Sequence, residues 1–275
     1  MRFKVLICVL LVFLMAAPLN AQIGSAKLQV VLNDLLLHKI LLMRGFPQGD
    51  VIEYDERGNL LKKDFGPWTL NAAIQITDVA IQADAIQVFG TRLVITFPNG
   101  EPRREYSAAS DITLRIRRDP NNEKQTINAL AVVFLNNLDP LTMVLPEYWR
   151  YFARKLDLAA GLKAAEAELP ITLEGKRIYA AGSQATMPAV VPSSQKNPVY
   201  PPLAYANKVQ GVTTLWVVIA PDGHVAYLQV FKPFGFGFED AAVKAVLEWR
   251  FTPGTVDGQP VPVAIKVEVP FKMNK

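Results

Sequence analysis

The chain has a single cysteine in 275 residues, Cys8, and only two histidines, His38 and His224. One thiol excludes an intrachain disulfide framework and a thiolate-rich zinc site. Two imidazoles are too few for a His-rich metal centre, and a Ser-His-Asp triad would have to be built on one of them. Charge is also sparse, at 20% of residues, with 29 Lys+Arg against 25 Asp+Glu. Two of those positives, Arg2 and Lys4, lie in a leader, so the remainder carries an excess of only two, which excludes a nucleic-acid reading. The His-Glu-x-x-His, Gly-x-Ser-x-Gly and P-loop patterns are all missing. Acid pairs such as Asp55/Glu56 and Glu166/Glu168 fall on a turn and a helix surface, where solvated acids ordinarily sit. The sequence therefore reads as a non-enzymatic protein with no cofactor and no metal.

Long apolar runs are confined to the start of the chain. Arg2 and Lys4 precede an unbroken apolar stretch from Val5 to Ala17, which as a helix reaches about 20 Å, short of a ~30 Å hydrocarbon core. Pro18 breaks it, and Ala21 offers a small residue for cleavage before Gln22. This pattern predicts a cleavable secretory signal peptide over 1–21 and a mature protein with no stable membrane span. The alternative is an uncleaved inner-membrane anchor facing the periplasm.

Residues 22–187 read as a short helix followed by many strands. Val51–Tyr54 and Leu60-Leu61 flank a hairpin-type turn at Asp55–Asn59. Apolar alternation recurs at Ile74/Ile76, Ile86/Val88 and Leu93/Ile95/Phe97, and over Ile112–Arg117 apolar and polar residues alternate cleanly, giving one buried and one wet face. Ala129–Leu135 reads as a continuous apolar strand, and Pro146–Ala165 as a helix closing the domain. The expectation is a mostly antiparallel β domain, a curled sheet or partial barrel, of unknown function. Prolines 188, 192, 198, 201 and 202 then mark a semi-rigid linker over 188–200.

The pattern after the linker, residues 201–275, is helix, strand, strand, helix, strand, giving an α+β protein whose second domain has a three-stranded antiparallel sheet and two helices. Thr213–Ala220 is apolar on both faces and belongs inside a sheet. Pro221-Asp222-Gly223-His224 is a tight turn, the Asp-Gly pair supplying positive φ angles. Ala242, Ala245, Val246 and Trp249 make one helical stripe. Gly-x-Gly within Phe234–Phe238 lacks the parallel crossover of a phosphate cradle, so it reads as a loop seating this helix. In the last strand Val263, Ile265, Val267, Val269 and Phe271 share one face. Pro262 and Pro270 at its ends argue for an edge strand, because a central strand cannot spare those N–H groups. An open edge invites strand addition by another polypeptide. Lys266 and Glu268 are equally the residues that protect an edge, and a strand-exchanged homodimer is a further outcome.

Asn197-Pro198-Val199-Tyr200-Pro201-Pro202, Gly211-Val212-Thr213, Pro221–Val225, Asp240–Val243, Trp249–Gly254 and the closing strand occur in that order. Together they resemble the TonB C-terminal domain, over about residues 192–273. The resemblance implies a periplasmic module that docks on outer-membrane TonB-dependent transporters by edge-strand pairing, as an energy transducer in transmembrane transport. The docking residues it implies are Tyr200, Pro201, Val263, Ala264, Ile265, Lys266, Val267, Glu268 and Val269. The histidine-bearing anchor and long charged spacer of the family's transducers are not found here. A reading of a different class makes the first domain a ligand-binding module and the TonB-like part a dimerisation element.

Overall fold

The computed structural model describes residues 25–135, 141–159, 170–182 and 184–273. The leader expected over 1–21, with Cys8, lies outside them. The chain divides into two compact units: one runs up to Ile95 and from Arg103 to 135, and the other takes Thr96–Pro102 and everything from Leu141 onward.

In the first unit the alternating apolar residues build an open five-stranded sheet, not a closed barrel. Its strands are β1 (Ile40–Leu42), β2 (Val51–Tyr54), β3 (Ala73–Ile81), β4 (Ala85–Thr96) and β5 (Arg103–Arg117), in the order β1-β3-β4-β5-β2. β3 pairs antiparallel with β1 and β4, whereas β2 runs parallel to β5. The Asp55 carboxylate accepts from the N–H groups of Arg57 and Asn59, so the expected turn forms. It brings Tyr54 only into a single bridge with Leu60 and does not pair two strands.

Helix α1 (Ser25–Leu36) contributes Leu28, Leu32 and Leu36 to the core of this unit, together with Ile74, Ile76, Val88, Leu114 and Ile116 of the sheet. A short helix α2 (Trp68–Asn71) leads into β3. The stretch expected as a strand over Ala129–Leu135 is instead mostly the end of helix α3 (Glu123–Val133). The Asn122 side chain caps this helix, accepting from the Gln125 N–H at 3.1 Å. Thr126, Ala129, Leu130 and Val133 are buried at i, i+3, i+4 and i+7, a helical stripe that a continuous apolar run conceals.

The second unit holds helices α4 (Leu141–Val144), α5 (Arg150–Ala159), α6 (Pro202–Ala206) and α7 (Phe238–Glu248). Its four-stranded sheet has the order β11-β10-β15-β8, from β8 (Tyr179–Ala180), β10 (Gly211–Ile219), β11 (Val225–Lys232) and β15 (Val263–Phe271). Three two-stranded ribbons surround it: β6 (Thr172–Leu173) with β7 (Lys176–Arg177), β9 (Ala189–Val190) with β12 (Phe251–Thr252), and β13 (Thr255–Val256) with β14 (Gln259–Pro260). The helix, strand, strand, helix, strand order expected after the linker is present, with β10 central and α7 packed on β10 and β11.

Two expectations change here. The segment from Pro146, expected to close the first domain, packs against β11 of the second unit. Gln229, 1% exposed in the middle of β11, explains why: its amide donates to the Glu147 carbonyl and accepts from the Tyr151 N–H. The Tyr151 ring stacks on Phe231 beside it. The proline-rich stretch over 188–200, which includes a 3-10 turn at Pro192–Ser194, is not a free spacer. Ala189-Val190 pairs with β12, the Ser194 hydroxyl accepts from the Arg250 N–H at 2.8 Å, and the Trp249 indole N–H donates to the Lys196 carbonyl.

A candidate strand-docking edge

β15 pairs antiparallel with β10 along its whole length, from Ile219↔Val263 to Gly211↔Phe271. Val263, Val267, Val269 and Phe271 are buried on the helix-facing side, each at 8% exposure or less. Burying each such side chain is worth roughly 1.5–3 kcal/mol, and a one-residue slip would turn them all to solvent, so the register is pinned. On the opposite face Lys266 reaches back over Phe231, its Nζ 4.1 Å from the ring centroid.

The second edge of β15 is partly occupied. β8 runs parallel to it, in register only with Val263 and Ala264. Tyr179 N–H donates to the Pro262 carbonyl and Ala181 N–H to the Ala264 carbonyl. The N–H and C=O of a strand residue lie on one side and alternate along the chain, so the even-numbered residues face this edge. Lys266 and Glu268 therefore direct both main-chain groups outward, and Pro270 its carbonyl, with no strand beside them among the described residues. Both side chains are exposed.

The nine residues expected to dock a partner thus separate into three groups. Ile265, Lys266, Val267, Glu268 and Val269 lie along the open stretch. Val263 and Ala264 are covered by β8. Tyr200, half-buried, and Pro201, buried, precede α6 and are not part of β15. The Tyr200 ring packs edge-on against Tyr205, Phe238 and Phe271, and its hydroxyl donates to the Val209 carbonyl. Pro201 is buried as the N-cap of α6. Tyr200 thereby links Tyr205 of α6 to Phe271 of β15, and Phe271 stacks in turn on Phe238 of α7 at 4.0 Å.

A buried acidic pair lies at the start of α7. Glu239 is 0% exposed, and one carboxylate oxygen accepts from the N–H groups of Phe234 (2.5 Å) and Gly235 (2.9 Å) in the glycine-rich loop and from the Thr213 hydroxyl (3.4 Å). Burial pushes its carboxyl up to about 7 despite those donors. Asp240, also buried, is pushed upward by burial and accepts from the Tyr148 hydroxyl. Negative charge at a helix start is favourable in water, and the sequence gives that reading of both residues. The signal that places Glu239 inside is its spacing, since Glu239, Ala242, Val243 and Val246 fall at i, i+3, i+4 and i+7.

Strands β10, β11 and β15 paired antiparallel, α7 on their face, α6 leading in and a β15 edge only partly covered by β8 make a small α+β module. Residues 196–273 match the family described as Gram-negative bacterial TonB protein C-terminal. Proteins named TonB from two strains of Xanthomonas campestris pv. campestris are each 36% identical over 90 residues, covering 31% of this chain and 40% of theirs. One from Vibrio cholerae serotype O1 is 29% identical over 88 residues, covering 32% of this chain and 36% of its own. The chain therefore spans 40% or less of the length of these relatives. The solution NMR structure of the Pseudomonas aeruginosa TonB CTD is 22% identical, covers 32% of this chain and 90% of that one, and has a TM-score of 0.26.

Proposed function

We propose that this protein is a non-enzymatic periplasmic protein of TonB type that binds a TonB-dependent outer-membrane transporter. An extended segment of the transporter adds as a strand along Ile265–Val269. The observation that carries this reading is the pair of outward-facing main-chain groups at Lys266 and Glu268, on a strand whose other edge and apolar face are fully engaged. Main-chain hydrogen bonds along such an edge give affinity, and alternate side chains give selectivity. The TonB C-terminal match over 196–273 and the names of its relatives support the choice of partner. The leader over 1–21 supports export, with cleavage after Ala21.

The test uses the full chain, because residues 141–159 complete the second unit. A purified TonB-dependent transporter in detergent should bind the wild type and the Lys266→Ala variant, which keeps the N–H. Glu268→Pro, which deletes an outward N–H, should lose most of that binding. Equal binding by all three would overturn strand addition. A dimer that dissociates in Glu268→Pro would favour the same edge as a self-association surface.

A further inference from the structure

β8 lies outside the family-matched segment, yet it supplies the fourth strand of that segment's sheet. Its hold on β15 is slight. Tyr179 N–H meets the Pro262 carbonyl at 2.9 Å, Ala181 N–H meets the Ala264 carbonyl at a long 3.4 Å, and the register sets Ala264 N–H against the Tyr179 carbonyl. Neither residue is anchored in the core, Tyr179 being half-buried and Ala180 exposed. The chain then leaves the edge at Gly182, whose N–H turns back to the Ala185 carbonyl at 3.0 Å. What remains open beyond that exit is Lys266, Glu268 and the carbonyl of Pro270.

We propose that β8 is an intramolecular competitor for the docking edge, a strand of this chain that occupies its first positions until a partner strand displaces it. The inference rests on the strand-addition reading of β15. Pro270 gives up one donor at the far end, so a partner restricted to the open stretch pairs fully at Lys266 and Glu268 alone. Extending the ladder means taking over Ala264 and the Pro262 carbonyl, the groups β8 holds. Few and exposed main-chain bonds make β8 a low-stability element that opens without unfolding the sheet beneath it. An edge that is free in only a fraction of molecules binds more weakly by that fraction.

The test uses the full-length protein and, as probe, a synthetic peptide of residues 176–182 offered in trans. Amide chemical shifts of Ala264, Lys266 and Glu268 report its binding. Tyr179→Pro and Ala181→Pro each delete one donor to β15, while Tyr179→Ala keeps it. The peptide should bind both proline variants at least about tenfold more tightly than the wild type or Tyr179→Ala. Ala264 should also lose hydrogen-exchange protection in the proline variants, with Val267 and Val269 protected throughout as proof of an intact sheet. Equal affinity for all four proteins would overturn competition and leave strand addition standing. No shift at Ala264–Glu268 in any of them would overturn both. Rapid exchange at Ala264 in the wild type would show that β8 does not hold the edge, and would overturn the proposal alone.

Discussion

The Tyr148 hydroxyl donates to Oδ1 of Asp240 at 2.6 Å, across 92 residues of sequence. This bond fixes the turn at Glu147–Trp149 to the first turn of α7. Burial first, and then the Asp240 charge, push the Tyr148 hydroxyl far above its ordinary range. Tyr148→Phe keeps the ring but leaves a buried carboxylate without its side-chain donor. The expected cost is about 1.5–3 kcal/mol, a loss of several degrees in Tm. Combined with Asp240→Asn the two losses should be clearly less than additive, because one interaction is removed twice. Strict additivity in calorimetry would show that the bond contributes nothing.

Glu239 makes the second unit less stable as pH rises. Its folded-state carboxyl sits near 7 against an ordinary 4.5. Below about 4.5 it is protonated whether folded or unfolded, and burial then carries no charge penalty. Between about 4.5 and 7 the unfolded chain ionises first, so stability falls across that window and stays lower above it. The size of the fall is on the order of 3 kcal/mol. Glu239→Gln should flatten the slope in urea titrations at pH 4.5, 6 and 7.5. An unchanged slope would assign it to another group.

Much of the second unit was legible because its signals are local. Asp222-Gly223 makes a turn, the Ala242–Trp249 spacing makes a helix face, and the alternating valines make a strand with one buried side. What was not legible depends on pairings distant in sequence. Nothing around Tyr179 says that it meets Pro262, and nothing around Ser194 says that it accepts from Arg250. The proline-rich stretch has the composition of a spacer, but composition does not record the Trp249 indole that fastens it. Gln229 is a local cue of another kind: a polar amide in a buried strand needs partners, and here they lie in the segment from Pro146. In the first unit, the run Ala129–Leu135 is apolar at nearly every position, so periodicity could not separate strand from helix. The Asn122 cap settles it.

Arg92 is predicted to be the most sensitive charged residue of the first unit. It is 7% exposed and donates to the carbonyls of Asn71, Pro47 and Gly49. Burial pulls its guanidinium down to about 10, leaving it charged at neutral pH. Arg92→Met removes every one of those donors and strands buried carbonyls, at an expected cost of at least about 3 kcal/mol. Arg92→Lys retains charge but not the planar fork and should recover only part of the loss. Hydrogen exchange at the Ile76 amide, which donates to the Lys39 carbonyl, reads the first unit; a near-neutral Arg92→Met would contradict the account.

The hairpin between β10 and β11 should prove more demanding than its exposed position implies. Gly223 has φ of 84°, and its carbonyl accepts from the Phe251 N–H at 2.9 Å. A Cβ there would lie 2.2 Å from the Phe251 carbonyl oxygen, a main-chain atom that cannot swing aside. Gly258, in the β13–β14 turn, has a similar φ of 77° but nothing within 4 Å of its would-be Cβ. Both alanine variants incur the left-handed backbone cost of about 1 kcal/mol. Gly223→Ala must in addition push β12 away, loosening the β9–β12 ribbon that ties down the proline-rich stretch. Its loss of stability should exceed that of Gly258→Ala by about 2 kcal/mol or more, with the Ala189 and Val191 amides, which face β12, losing exchange protection first. Matching losses in the two variants would mean that the hairpin turn is not seated on Phe251.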